Sequence, residues 1–324
     1  MPTERSQGDG PEGWPILNTP GWQASARTLH LWTQVAGKTR LALSPEVNHW
    51  WHVPLYVTPR GLTTSPIPYG RRDFSVDFDL LAHRLELRDS DGAADSFELL
   101  HAGTLAGFHA RYMEGLRRIG VSVHLYPIAS EIEEEISLDT DRTVRRFDPD
   151  WGTRFFRVLV QADRLLKAFR GPFLGKASPV HFFWGGFDLA VTRFSGRRAP
   201  RHPGGVPHSP DRVPIEAYSH EVSSAGFWPG DPSFPEAAFY SYAYPPPPGF
   251  ERAPVLPRSA RYEPALHEFI LPYEAVRTSP SPERDVMTFL QTTYVAAAEL
   301  GHWRRDELER TMAGEAAGSL GAHP

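Results

Sequence analysis

The two halves of the sequence repeat one pattern, and this repeat restricts the fold more than any other feature. Residues 44–58 align with residues 178–192 without a gap, and both segments begin with Ser-Pro and end with Leu-x-Val-Thr. Trp50 and Trp184 occupy the same place in the two segments. Further matches follow in the same order along the chain: residues 63–65 with 223–225, residues 74–79 with 239–244, and Phe108 and Gly120 with Phe289 and Gly301. We therefore predict two diverged copies of one unit, with two unrelated segments of similar pattern as the alternative.

Each copy is predicted to contain a helix, a group of short strands and a second helix. Apolar residues recur at helical spacing over about 25–43, 105–119, 150–170 and 282–300. Runs rich in β-branched and aromatic residues predict strands at 47–58, 62–66, 74–80, 83–88, 121–127, 180–193, 225–228, 239–244 and 267–276. The predicted class is α+β, with two copies of a helix–antiparallel sheet–helix unit of about four strands each. This order resembles TATA-binding-protein-like and helix-grip folds, in which a curved sheet grips a long helix, and the analogy concerns the fold alone.

The same pattern predicts the limits of the units. A flexible leader covers residues 1–20, the first repeat residues 21–120, the second repeat residues 121–303, and a disordered tail residues 312–324. Loop insertions of the second repeat are expected at about 197–218 and 245–262, where Pro, Gly and Arg accumulate. The two repeats are expected to pack as one globular unit. The acidic run at Glu131, Glu133, Glu134 and Glu135 is interpreted as a solvated loop.

Composition excludes several classes of function. The chain has no cysteine, which excludes disulfides, zinc sites with thiolate ligands and a cysteine nucleophile. A net charge of −5 and a pI near 6.3 provide no basic field, so nucleic acid is not an expected partner. The sequence shows no signal peptide and no apolar run of membrane-spanning length. We therefore expect a soluble, cytoplasmic protein that does not bind membranes.

Polar residues that occur in only one copy are the better functional candidates, because a shared core explains residues common to both. This comparison selects His52, Asp188, His220 and Glu221 as catalytic candidates. A histidine would act as general acid or base, and a carboxylate would orient it. Ligand contacts are expected from Arg60, which would hold an anionic group, and from the aromatic residues Trp50, Tyr56 and Trp184. A core strand with structural histidines is the alternative for 47–58, and solvated surface is the alternative for Arg60.

The segment Asn48-His49-Trp50-Trp51-His52 suggests a metal site, but strand alternation argues against it. On a regular strand His49 and His52 point to opposite faces, so they do not converge on one ion. His220-Glu221 lacks the second histidine of a metalloprotease motif. We therefore assign no metal ligand and leave the cofactor unknown, with a His/carboxylate site for zinc or iron as the alternative. Tyr240, Tyr242 and Tyr244 are predicted to share one strand face, which is typical of a pocket or a wet interface.

Several motifs resemble those of a bacterial family catalogued only as a domain of unknown function. They include Asn-His-Trp-Trp-His-Val at 48–53, Tyr-Val-Thr-Pro-Arg-Gly-Leu-Thr-Thr-Ser-Pro-Ile-Pro-Tyr at 56–69, and Ser-His-Glu-Val-Ser-Ser-Ala-Gly-Phe-Trp-Pro-Gly at 219–230. The resemblance covers about residues 14–303 and implies no activity. Our leading hypothesis is an enzyme that handles a small molecule through a His/carboxylate/Arg site on the sheet. A non-catalytic module for an apolar or aromatic ligand and a protein-interaction scaffold are the alternatives, and the oligomeric state is open.

Overall fold

The fold is taken from a computed structural model that describes residues 13–17, 20–99 and 103–310. Most of the predicted leader and the whole of the predicted tail lie outside these residues. Within them, no helix is both long enough and apolar enough to cross a membrane. The description below therefore concerns the part of the chain that contains both predicted repeats.

The long helices occur where helical spacing predicted them. They are Pro20–Leu43 (α1), Leu105–Arg118 (α2), Pro149–Arg170 (α3) and Pro282–Leu300 (α6), and the shorter ones are Arg212–Ala217 (α4), Tyr273–Arg277 (α5) and Arg305–Leu308 (α7). The side chain of Asp148 caps α3 by accepting a hydrogen bond from the backbone N–H of Asp150, and Pro149 follows at the first helical position. One face of α3 is fully buried, which explains its apolar stripe.

The first half forms an antiparallel sheet between α1 and α2. Its strands are Tyr56–Val57 (β1), Gly61–Thr63 (β2), Ile67–Tyr69 (β3), Arg72–Asp79 (β4), Arg84–Asp89 (β5) and Ala94–Glu98 (β6). The strand order is β1-β2-β4-β5-β6, with β3 paired to the other end of β4. Except for β2 and β4, which are separated by β3, paired strands are consecutive in sequence, so short turns are enough to connect them.

The second half forms a longer antiparallel sheet. Its strands are His181–Phe183 (β7), Asp188–Arg198 (β8), His220–Trp228 (β9), Ala238–Tyr244 (β10), Arg261–Glu263 (β11) and Glu268–Pro272 (β12). Their order is β11-β12-β10-β9-β8-β7. One face of this sheet packs against α3 and α6, and its buried residues include Leu189, Val191, Phe227 and Phe239. The opposite face lies against chain segments rather than long helices, and it carries the cavity described below.

The two sheets meet at one point. Leu55, just before β1, and Phe182 in β7 exchange two backbone hydrogen bonds of 2.8 Å. The helix α1 also contacts both halves, because Trp32 stacks on Phe108 of α2 and Trp22 packs on Phe155 of α3. The main apolar core is therefore continuous through both halves, and Ala190, Ala238, Tyr240 and Ile270 form a smaller separate cluster.

The predicted α+β class is confirmed, and the two sheet–helix units are compatible with the predicted architecture. Duplication and the resemblance to TATA-binding-protein-like or helix-grip folds stay predictions. The strand prediction for 121–127 is wrong: the segment buries Val121 and Leu125 but joins no sheet. Spaced apolar residues can be buried in this way without a partner strand. The strand predicted at 267–276 ends at Pro272, where α5 begins.

The strand prediction for 47–58 is also wrong in its first half. Asn48–Trp50 form a turn of 3-10 helix, in which His49 has a φ of 58° and Trp50 a φ of 62°. Strand pairing needs negative φ, so these residues cannot lie in a sheet. The alternation that placed His49 and His52 on opposite faces consequently does not apply to this segment.

Candidate functional site

A cavity of about 240 Å³ lies on the face of the second sheet that the long helices leave uncovered. Its floor is formed by β8, β9 and β10. Its walls are formed by the turn after Val47, by α4 and the loop before it, and by Glu131 from the segment between α2 and α3. A wider recess of about 640 Å³ adjoins it and shares Glu131, Asp188, Tyr218, Tyr240 and Tyr242. The site is thus assembled from segments that are far apart in sequence.

Strand alternation selects the residues of the cavity floor. In β8, Asp188, Ala190, Thr192 and Phe194 face the cavity, whereas the residues between them face the helices. In β10, the same alternation presents Tyr240 and Tyr242, as the sequence predicted for its tyrosine face. Tyr244 follows on the same face and packs against His202 and Tyr218 outside the cavity.

Asp188 is the central ionisable group of the site. Its carboxylate accepts a hydrogen bond from the hydroxyl of Tyr240, a buried residue of β10 on the cavity floor. Burial raises the pKa of Asp188 to about 6, although the hydrogen bond from Tyr240 acts in the opposite direction. Burial also raises the pKa of Tyr240 well above its ordinary value, so this hydroxyl remains a donor. Asp188 can therefore exchange a proton near neutral pH.

Two glutamates flank Asp188. Glu131 stands at the cavity mouth, where its backbone has a φ of 61° and its N–H donates to the carbonyl of Pro207 at 2.8 Å. Although Glu131 is exposed as a residue, the protein around its carboxyl, together with the charge of Asp188, raises its pKa to about 7. Glu268, at the start of β12 in the adjoining recess, has a pKa raised to about 8 by burial and then by Asp188. None of the three carboxylates forms an ion pair within the described residues.

The carboxylates occupy space that only glycine leaves free. A Cβ on Gly185 would lie 2.4 Å from Glu131 Oε1, and a Cβ on Gly186 would lie 2.9 Å from Asp188 Oδ1. Gly185 and Gly186 form the turn between β7 and β8, so that turn allows both acids to approach one another. Lys38 approaches from α1, where its Nζ donates to Ser130 Oγ at 2.9 Å, and burial lowers its pKa to about 8.

Hydroxyl groups continue across the sheet from this acidic end. The hydroxyls of Tyr218 and Tyr242 are 2.7 Å apart, and those of Thr192 and Ser224 are 2.9 Å apart. Burial raises the pKa of Tyr218 to about 12 and that of Tyr242 well above its ordinary value. These phenols stay protonated at neutral pH and supply hydrogen-bond donors to the cavity.

His49 occupies another part of the cavity. Its ring packs on Phe194 at a centroid distance of 4.7 Å and on His220 at 5.7 Å. Its Nδ1 lies 3.0 Å from the carbonyl oxygen of Ala217 at the end of α4. Burial lowers the pKa of His49, so the ring is neutral at neutral pH.

The structure does not bring the four predicted catalytic residues together. Asp188 lines the cavity, and His220 contacts His49 while its Nδ1 lies 3.0 Å from Ser219 Oγ. His52 is 4% exposed and accepts a hydrogen bond from the N–H of Val47. Glu221 lies on the opposite face of β9, because alternation separates it from His220, and it pairs with Arg197 at 2.6 Å.

The predicted ligand contacts are similarly dispersed. Trp50 lines the cavity and lies beneath Arg212, at 4.7 Å from its guanidinium carbon. Tyr56 packs against Arg40 at 5.3 Å, and Trp184 donates its indole N–H to the carbonyl of Val53. Arg60 is an exposed residue between β1 and β2, and it pairs with Asp79 at 2.5 Å. Among the eight predicted residues, Asp188 and Trp50 line this cavity.

Sequence reasoning missed Glu131, Glu268 and Tyr218. Glu131 belongs to the acidic run interpreted as a solvated loop; all four glutamates of that run are exposed, as predicted, but Glu131 also lines the cavity. Nothing in the run distinguishes Glu131 from the glutamates that follow it, because its place depends on a left-handed backbone and on the loop at Pro207. No group of three or more His, Cys, Asp or Glu within the described residues has the geometry of a metal site.

Comparison with known proteins identifies a family without an assigned activity. The model of a family of unknown function, DUF5996, matches residues 14–310, which include every residue of the cavity. No curated protein and no solved structure shows significant similarity to the chain.

Proposed function

Because the chain belongs to this family of unknown function, we propose its activity from the cavity: it is an enzyme that acts on a small molecule, and Asp188 transfers a proton to or from that molecule. The observation that carries the proposal is the position of Asp188. Its carboxyl opens into the cavity, is hydrogen-bonded by Tyr240 and has a pKa of about 6. A group that exchanges protons near the working pH is what general acid–base catalysis requires.

The hydrogen bond from Tyr240 supports this role. The buried phenol holds the carboxylate in one orientation. Glu131 and Glu268 add negative charge nearby, and their repulsion of Asp188 makes the acids share protons rather than ionise together. The second carboxyl can therefore supply or receive the proton that Asp188 moves.

The size of the cavity limits the substrate. A volume of about 240 Å³ accommodates a small metabolite, and it lies below the usual range for drug-sized ligands. Trp51, Phe183 and Phe194 provide flat apolar walls, whereas the polar groups cluster around Asp188. These walls favour a molecule with a planar or apolar body and at least one polar group.

A non-catalytic binding protein for an aromatic ligand is the second candidate. The same aromatic walls favour it, because rings bind planar molecules without any chemistry. The two candidates differ in what Asp188 does. In an enzyme its proton transfer limits turnover, whereas in a binding protein it contributes affinity alone.

The experiment first identifies, by mass spectrometry, the small molecules that copurify with the protein. Each compound is then added to ligand-free protein and followed by NMR over time. Wild-type protein is expected to convert the compound, and Asp188→Asn to bind it while turning it over about 10²- to 10⁴-fold more slowly. Asp73→Asn, at an exposed position of β4, is the matched control and should match the wild type. A compound that binds and stays unchanged would identify a binding protein. Undiminished turnover by Asp188→Asn would overturn the role of Asp188.

A further inference from the structure

The cavity has a second proton acceptor besides its carboxylates. His49 lines the cavity and is 5% exposed. Its Nδ1 lies 3.0 Å from the carbonyl oxygen of Ala217. A carbonyl oxygen only accepts hydrogen bonds, so Nδ1 carries the proton of the neutral ring. Nε2 is then unprotonated, and it has no hydrogen-bond partner within the described residues.

The surroundings of His49 keep this arrangement in place. The left-handed backbone at His49 directs the ring away from the path of the chain. Phe194 and Trp51 enclose the ring at centroid distances of 4.7 and 5.3 Å. Lys176 lies 5.1 Å from the rings of both Trp51 and Phe194, and its positive charge disfavours a second proton on His49. A ring that is fixed on one edge and enclosed by aromatic groups presents its remaining nitrogen to the cavity.

His49 and Asp188 stand at different ends of the same cavity. His49 packs against Phe194, and Phe194 lies six residues beyond Asp188 on β8, about 20 Å along a strand. The two groups therefore do not act on one atom. A ligand that reached both groups would have to extend along the sheet.

We propose that His49 Nε2 is a binding and specificity group that accepts a hydrogen bond from a hydroxyl or N–H at one end of the ligand, while the other end carries an amine or another donor toward Asp188. This inference rests on the proposed function, because it assumes that the cavity holds the ligand. It adds the ligand class: an elongated molecule with an apolar middle and a hydrogen-bond donor at each end. The carboxylates select the first donor, the aromatic walls enclose the middle, and His49 selects the second donor.

The first test uses 4-(aminoalkyl)phenols of increasing chain length, beginning with tyramine, and their methyl ethers as matched probes that lack the phenolic donor. Calorimetry of the wild-type protein is expected to show that the best phenol binds about tenfold more tightly than its ether, the value of one hydrogen bond. In His49→Phe this preference should vanish. In Asp188→Asn both the phenol and its ether should bind more weakly, whereas the ratio of their affinities should stay the same. His124→Phe, at an exposed position after α2, is the control and should keep the preference.

The outcomes separate this inference from the proposed function. A preference for the phenol over its ether that survives in His49→Phe would overturn the role of His49. The turnover of Asp188→Asn would still test the catalytic role of Asp188. Failure of every probe to bind the wild type at millimolar concentration would overturn the ligand class.

The second test needs no ligand, and it reads the tautomer in the wild-type protein. Long-range ¹H–¹⁵N NMR of the wild-type protein distinguishes the two neutral tautomers of each histidine, and the signal lost in His49→Gln or His49→Phe identifies His49. We expect the tautomer with hydrogen on Nδ1 and a bare Nε2 at neutral pH. Hydrogen on Nε2 would overturn the proposal, because that nitrogen could not then accept a hydrogen bond.

Discussion

At the residue scale, Glu268 links the cavity to the stability of the protein. Its pKa is raised from 4.5 to about 8 in the folded protein, by burial and by Asp188. The unfolded chain releases this proton near the ordinary pKa, whereas the folded chain holds it up to about pH 8. The folded state therefore binds more protons in this window, and its stability falls as the pH rises from about 4.5 to about 8. Below about pH 4.5 the carboxyl is protonated in both states, so it does not lower the free energy of unfolding.

Glu268→Gln should remove this dependence, because glutamine resembles the neutral acid. We expect the variant to match the wild type near pH 4 and to exceed its free energy of unfolding at pH 8.5 by about 1–2 kcal/mol, a value reduced for the partial exposure of the group. Urea titrations at both pH values measure the difference. Glu135→Gln, at an exposed position, is the control for a changed net charge. A gain that is equal at both pH values would contradict the shifted pKa.

At the element scale, the packing of α1 depends on one small residue. Gly37 in the middle of α1 lies directly beneath the ring of Trp184, and a Cβ at Gly37 would lie 2.2 Å from that ring. Trp184 is held from its other side, because its indole N–H donates to the carbonyl of Val53 at 2.9 Å. The tryptophan that the sequence placed in a binding wall thus joins α1 to the segment before β1. Its match with Trp50 follows the repeat, but the two side chains have different surroundings.

Gly37→Ala should therefore destabilise the protein although alanine is the better helix former. The propensity gain of about 1 kcal/mol is outweighed by overpacking against Trp184, and we expect a net loss of about 2 kcal/mol in the free energy of unfolding. Gly171→Ala is the matched control, since the nearest atom to its added Cβ is 3.5 Å away. Chemical denaturation of the two variants tests the difference. A Gly37→Ala protein as stable as the control would show that Trp184 moves aside without cost.

At the scale of the whole molecule, both halves depend on one core. The helix α1 packs against α2 through Trp32 and against α3 through Trp22, and the two sheets share the hydrogen bonds between Leu55 and Phe182. The cavity uses the same arrangement, because His49 comes from the first half and Asp188 from the second. Separation of the halves would expose the apolar core and open the site.

We expect the chain to unfold in one cooperative transition, as predicted for two repeats packed as one globular unit. Calorimetric and van't Hoff enthalpies should agree. Val76→Ala in the first sheet and Val191→Ala in the second should each shift the whole transition, by about 2 kcal/mol, because both side chains are fully buried. Two transitions, with each substitution moving only one, would show that the halves are independent domains.

The periodic signals of the sequence were sufficient for the element types. Helical spacing located α2, α3 and α6 to within a few residues, and strand alternation placed Tyr240 and Tyr242 on one face of their strand. These patterns are local, because 3.6-residue and 2-residue periods reflect which side of an element is buried. The same local rule failed at Asn48–Trp50, where contacts of His49 with Phe194 and Ala217 hold a left-handed turn.

By itself, the sequence determined the α+β class, the long helices and the alternating faces of the strands, and it selected Asp188 as a candidate because this polar residue occurs in one half only. Tertiary structure decided which groups share the site with Asp188. Glu131, Tyr218 and Glu268 near Asp188, and His49 at the other end of the cavity, come from segments with no local pattern in common, and the loops bring them over the sheet face that the helices leave open. The raised pKa values of the acids follow from that enclosure, since burial and mutual repulsion exist only after distant segments have packed together.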